Sequence, residues 1–243
     1  MNLGRLGRYS LWQFRDFVVE RGIAILIIGL LWGYTLVEPL RRAMGTAFSM
    51  TPSSPTWQLL ITVASSIVSL SVLIAVNGIV STDRKSGYYR FLFSQPVSAV
   101  AYYSQLFLVY MVGVVLAMLV LSGILHTIVP EFSIVNYLLY TAVIFVAMGG
   151  IGFFLSVATR FDWATLAAVW LGSRALRGFY GEKPGLPGML VQVLPPVHKL
   201  NGVADGLITY GRAPTSDVLW LLAYGALFFA IGLVLLRQGS LAD

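Results

Sequence analysis

The 243 residues contain no cysteine, so disulfides, thiolate metal sites and cysteine nucleophiles are excluded. Charge is scarce as well. Charged residues are 11% of the chain, under half the share of an average soluble domain. Histidines number two, His126 and His198, far apart and outside any H-E-x-x-H spacing. Each reads as an interfacial or packing histidine. No G-x-x-x-x-G-K-[ST] loop occurs, so the chain does not hold ATP in the P-loop manner. No acid or base falls in the middle of an expected span, which argues against a proton- or sodium-coupled carrier. Met111 and Met118 stand at heptad spacing and read as packing, not as a soft-metal path. The net charge of +6 forms no basic stripe, so no nucleic-acid partner is expected.

What is present is apolar. Hydrophobic residues make up 58% of the chain and the mean hydropathy is +0.82. The expected class is an all-α integral membrane protein, one transmembrane domain over residues 1–243 with about six transmembrane helices. Five spans are expected at Gly22–Val37, Trp57–Val80, Tyr103–Val129, Tyr137–Ala158 and Val218–Leu236. A further span, the fifth, is short. Only Trp163 to Ser173 are free of charge, and a crossing to Gly178 needs Arg174 and Arg177 to snorkel. Residues 1–21 interleave Arg5, Arg8, Arg15 and Arg21 with Leu3, Leu6, Leu11, Trp12, Phe14 and Phe17, the pattern of an interfacial helix. Residues 178–216 are rich in Gly and Pro. Within them, Met189–Leu194 and Val197–Tyr210 are apolar but too short to cross, and read as re-entrant outer helices. Ser65, Ser69 and Ala75, the Gly113 and Ala117 pair, and Gly149-Gly150-Ile151-Gly152 mark faces where helices approach closely.

Residues 81–100 form a polar island between two apolar runs. Asp83, Arg84 and Lys85 open it, Gly87 follows, and Tyr88, Tyr89, Phe91, Leu92 and Phe93 surround Arg90 before Pro96. Aromatic anchors flanked by charge suit docking to a soluble partner. The same composition suits a loop resting on lipid headgroups, with its basic residues facing phosphates. With the N-terminus inside, the inner segments carry nine of the sixteen Lys and Arg residues, and the two short outer loops carry Arg41 and Arg42 alone. The longer outer segment carries the remaining five and counts for less. Both termini and residues 81–100 are therefore expected in the cytoplasm.

The order Asp83-Arg84-Lys85-Ser86-Gly87, Phe91-Leu92 and Pro96-Val97-Ser98 before a new span resembles the ABC-2 type transporter permeases. So does Leu194-Pro195-Pro196-Val197-His198-Lys199-Leu200 followed by Asp205-Gly206-Leu207-Ile208 and Gly211, leading into the last span. The chain departs from that family's pattern at Tyr88, Tyr89, Arg90, Ala99 and Gln105. The resemblance implies a membrane-spanning subunit of an ATP-binding cassette exporter in a plasma membrane, the prokaryotic inner membrane. It would pair with a second permease, identical or related. Two ATP-binding subunits would dock beneath, carrying the ATP and magnesium, with no cofactor in this chain. The segment after the second span would be the coupling helix, with Asp83, Arg84, Gly87, Tyr88, Phe91, Leu92 and Pro96 as its contact residues. Few fixed charges in the spans suit a hydrophobic or amphiphilic substrate, beside membrane lipids. Two other classes stay open: a non-transporting regulatory or scaffolding subunit, and an intramembrane enzyme that would have to rely on His126 or His198.

Overall fold

A computed structural model describes residues 3–44, 54–85, 87, 98–159 and 197–239, with positions 172, 175, 176 and 179 in addition. Among the described residues every regular element is helical. The helices are α1 (Leu3–Phe17), α2 (Ile23–Met44), α3 (Pro55–Val76), α4 (Ser81–Lys85), α5 (Ala99–Ile128), α6 (Ile134–Ala158), α7 (Val197–Ala204) and α8 (Thr215–Gly239). Short π-helical turns at Val18–Gly22 and Asp205–Thr209 join α1 to α2 and extend α7.

Five helical runs are long and apolar enough to cross a membrane: Tyr9–Leu36, Pro55–Arg84, Ala99–Ile128, Ile134–Ala158 and Thr215–Gln238. The protein is a multi-pass membrane protein on these grounds. The runs overlap the five spans expected from the apolar stretches; four begin a few residues earlier, and the first begins at Tyr9, well before Gly22. Their starts are set by polar caps. The Ser54 hydroxyl accepts the Trp57 amide at 3.2 Å, with Pro55 at the first helical position. Ser133 receives the Asn136 amide in the same way.

At the N-terminus the structure differs from the expected division at Arg21. The helix passes from α1 through the π-turn into α2 without a break, and the Ile23 amide reaches back to the Val18 carbonyl. Arg21 thus lies inside a helical run, not at its edge. The expected fifth span, Trp163–Gly178, and the segments Gly181–Gly188 and Met189–Leu194 lie outside the described residues, apart from isolated positions.

Close packing explains the glycines. In lipid there is no hydrophobic drive between helices, so backbones must approach for dispersion to hold them. A Cβ on Gly225 of α8 would stand 2.6 Å from the Ala147 Cα, and one on Gly150 would stand 2.7 Å from the Gly225 carbonyl carbon. α6 stays helical through Gly149-Gly150-Ile151-Gly152, so these residues serve packing and not a bend. Gly113 of α5 is the notch that receives the Phe17 ring from α1. Phe107, Phe145, Phe153 and Phe229 close the middle of the bundle, with Phe107 and Phe229 ring centres 4.4 Å apart. Tyr140, fully buried, lies against Ser65 and Ser69 of α3, the serine face expected to meet a neighbour.

Two packing pairs define direction. Gly150 meets Gly225, and Phe153 with Phe154 meets Gly232, so α6 and α8 run parallel. Gly211, with φ of +64°, lies against the Asn136 side chain in the first turn of α6. Thr159 follows the last turn of that same helix. Thr159 and the α7 segment therefore lie at opposite ends of the bundle. Leu200, Val203, Ala204, Leu207 and Ile208 of the α7 segment are buried. It is fastened by Trp57 Nε1 donating to Thr209 Oγ1 at 2.9 Å and by the Lys199–Asp217 pair at 2.6 Å.

Candidate functional site

The end of the bundle opposite α7 carries a corner between α3 and α4. α3 stops at Val76, and Asn77 to Val80 turn with Gly78 at φ of +70°. A side chain at that φ would strain the turn, so Gly78 makes the corner cheaply. The five residues Ser81–Lys85 then resume helix, with the Thr82 amide on the Gly78 carbonyl and the Arg84 amide on the Val80 carbonyl. A helix this short has too few internal bonds to hold itself. Its rigidity has to come from neighbours.

Three such supports are present. The Ser156 hydroxyl, near the end of α6, accepts the backbone N–H of Val80 at 3.1 Å and of Ser81 at 3.2 Å. Ser156 and Ser81 are both almost fully buried, so those amides have no water to turn to. Arg84 Nη1 donates to the Val157 carbonyl at 2.9 Å. That carbonyl is among the last of α6, where a cation also favours the helix dipole. The Tyr103 hydroxyl of α5 donates to Asp83 Oδ2 at 2.9 Å. Tyr103 itself is fully buried. The root of the polar island is thus tied to α5 and α6 by side-chain bonds and continues α3 by its backbone.

The electrostatics centre on Asp83, which is partly buried. Arg21 attracts its carboxylate and Glu20 repels it. Arg21 Nη1 donates to the Ala75 carbonyl in the last turn of α3, and its guanidinium lies 4.8 Å from the Tyr110 ring centre. A cation on an aromatic face and a helix-end carbonyl together supply favourable partners for a group that is only half in solvent.

Of the residues expected at this site, the structure brings Asp83 and Arg84 together at the corner. Gly87 follows at φ of +74°, exposed, with its amide on the Arg84 carbonyl. Tyr88, Phe91, Leu92 and Pro96 lie outside the described residues. Sequence reasoning missed Ser156, Tyr103 and Arg21. A serine near a helix end carries no periodic signal, and Tyr103 reads as the aromatic start of a span. Arg21 had a signal, a charge four residues from Phe17 and from Ile25, which are buried to 1% and 0% exposure. At the other end, the His126 ring is engaged with the Phe132 carbonyl at 2.9 Å, as a packing histidine would be. Among the described residues no three His, Asp or Glu gather as a metal site would need.

No family model matches the chain, and no curated protein matches it significantly. The geometry alone therefore carries the function. Mechanically the corner offers a short polar helix, held at its root to three apolar helices and leading into an aromatic segment.

Proposed function

We propose that the chain is the membrane-spanning permease subunit of an ATP-binding cassette transporter, and that residues 81–100 are its coupling segment. The observation that carries this is the fastening of Ser81–Lys85 by Ser156, Arg84 and Tyr103. A lever transmits a push only if its root cannot swivel, because a loop on headgroups would dissipate the motion. A loop with no partner needs none of these bonds. In this reading Tyr88, Phe91 and Leu92 anchor the motor subunit, and Asp83 and Arg84 hold the lever to the membrane helices.

The parallel course of α6 and α8 supports a sixth crossing between them. The Lys and Arg bias supports a cytoplasmic corner face and cytoplasmic termini in a prokaryotic inner membrane. Two permeases face each other, each above an ATP-binding subunit that carries ATP and magnesium. The substrate is a hydrophobic or amphiphilic molecule, moved outward. Co-purification of a tagged chain with an ATP-binding subunit, followed by ATP-dependent amphiphile flux in reconstituted vesicles, tests the proposal. Failure to retain any such subunit, or flux unaffected by ATP, would sink it.

A further inference from the structure

The N-terminal run does more than cross or anchor. Phe17, Arg21 and Ile25 form its inward face at four-residue intervals, and the π-turn at Val18–Gly22 surrounds Arg21. Such turns disturb the regular helix and recur where a side chain must be aimed at a function. Here the aimed side chain touches two elements. Its guanidinium donates to the Ala75 carbonyl, just before the Asn77–Val80 corner. It covers the Tyr110 ring of α5. Its positive charge also acts, without direct contact, on the Asp83 carboxylate at the root of α4.

Immediately before Arg21 the run is clamped. Phe17 fills the Gly113 notch and lies 5.1 Å from the Tyr110 ring centre, while Gln105 Nε2 donates to Ser10 Oγ at 2.7 Å. Immediately after it, α2 presents Ile23, Ile27, Leu30 and Leu31, all exposed, on the outer face of the bundle. Arg21 is therefore placed between the corner and the rest of the first span, whose Ile25, Gly29 and Leu36 pack inward. Gln13, within the clamp, is 3% exposed.

Resting on the transporter reading above, we infer that Arg21 is the positioning residue that passes movement of the coupling corner to the first span. A shift of α4 changes the distance from Asp83 to Arg21. A shift of the last turn of α3 moves the Ala75 carbonyl that Arg21 holds. Because α1, the π-turn and α2 are one helical run, either displacement loads α2 directly. The planar fork of the guanidinium permits several partners at once, which an ammonium group would not reproduce.

The test uses the full permease with its ATP-binding subunit in lipid nanodiscs or vesicles. Arg21→Met keeps the length of the side chain and removes its charge and donors. Arg21→Lys keeps the charge, and Arg15→Met removes an exposed charge from the same run. Retention of the ATP-binding subunit, substrate moved per ATP hydrolysed, and melting temperature are read for each, with Asp83→Asn alone and combined with Arg21→Met.

The expected result for Arg21→Met is wild-type retention with transport per ATP lowered about tenfold, the size of an ordinary allosteric coupling. Arg21→Lys should recover part of the loss, and Arg15→Met should show none. The melting shifts of Arg21→Met and Asp83→Asn should be smaller together than their sum, because the attraction between the two charges can be lost only once. An unchanged transport ratio in Arg21→Met, an equal loss in Arg15→Met, or additive melting shifts would each overturn the inference while leaving the transporter reading intact. If the wild-type chain retains no ATP-binding subunit, the transporter reading falls and the transmission falls with it. The melting cycle then still decides whether Arg21 and Asp83 are linked.

Discussion

Removing the Ser156 hydroxyl should release the root of α4. Ser156→Ala leaves two backbone N–H groups, those of Val80 and Ser81, without their side-chain acceptor. Ser156 is 1% exposed and Ser81 3%, so water cannot take its place without opening the corner. Each buried donor left unpaired costs about 1–3 kcal/mol, and two together cost roughly 2–6 kcal/mol. At the lower end that raises local opening about 30-fold. Amide exchange at Val80, Ser81 and Thr82, followed by mass spectrometry in nanodiscs, reads it directly. Ser122→Ala is the matched control. Ser122 is equally buried, but its hydroxyl returns to the Leu119 carbonyl of its own helix, so its removal orphans no N–H. Faster exchange at the corner in Ser156→Ala, with Ser122→Ala unchanged there, is the expected outcome. Exchange at wild-type rates in Ser156→Ala would refute the idea that α6 holds the lever.

Gly225→Val should force α6 and α8 apart, because its Cβ meets backbone that cannot give. A cost of about 3 kcal/mol or more and a loss of monodisperse protein are expected, whereas Gly123→Ala, which faces open space, should purify normally. Phe91→Ala and Tyr88→Ala should each weaken retention of the ATP-binding subunit by about 2 kcal/mol, as loss of buried aromatic anchors does, without impairing membrane insertion. Asp83→Lys should weaken it as well, through repulsion and loss of the Tyr103 bond, and quantitative pull-downs read all three. Reporter fusions after Arg237 and within Gly181–Gly188 should report opposite sides of the membrane, and a shared side would mean that residues 163–178 do not cross.

The spans were legible because lipid imposes a simple rule, long apolar runs with polar ends. Trp57–Val80, Tyr103–Val129, Tyr137–Ala158 and Val218–Leu236 all fall on helices within a few residues. The small offsets arise at the starts, where Ser54 and Ser133 cap helices whose first residues look like loop. The glycine run of α6 was readable as a packing face, but its partner Gly225 was not, since one glycine between Tyr224 and Ala226 carries no pattern. The corner was legible in part. Asp83 and Arg84 stand out as charges in an apolar chain, yet their bonds to Tyr103 and Val157 join residues far apart in sequence. Arg21 looked like the end of a span because charge usually marks one. Its place inside a continuous run depends on the carbonyl of Ala75 and the ring of Tyr110, which only the fold brings to it.

The most direct test of the central claim is site-specific photo-cross-linking from the coupling segment in membranes that contain the ATP-binding subunit. A photoreactive phenylalanine is placed at Tyr88, at Phe91 and, as the opposite-face control, at the exposed Tyr210. Covalent capture of the ATP-binding subunit from Tyr88 and Phe91, and none from Tyr210, is the expected result. Capture of lipid alone from Tyr88 and Phe91, or of the ATP-binding subunit from Tyr210, would contradict it.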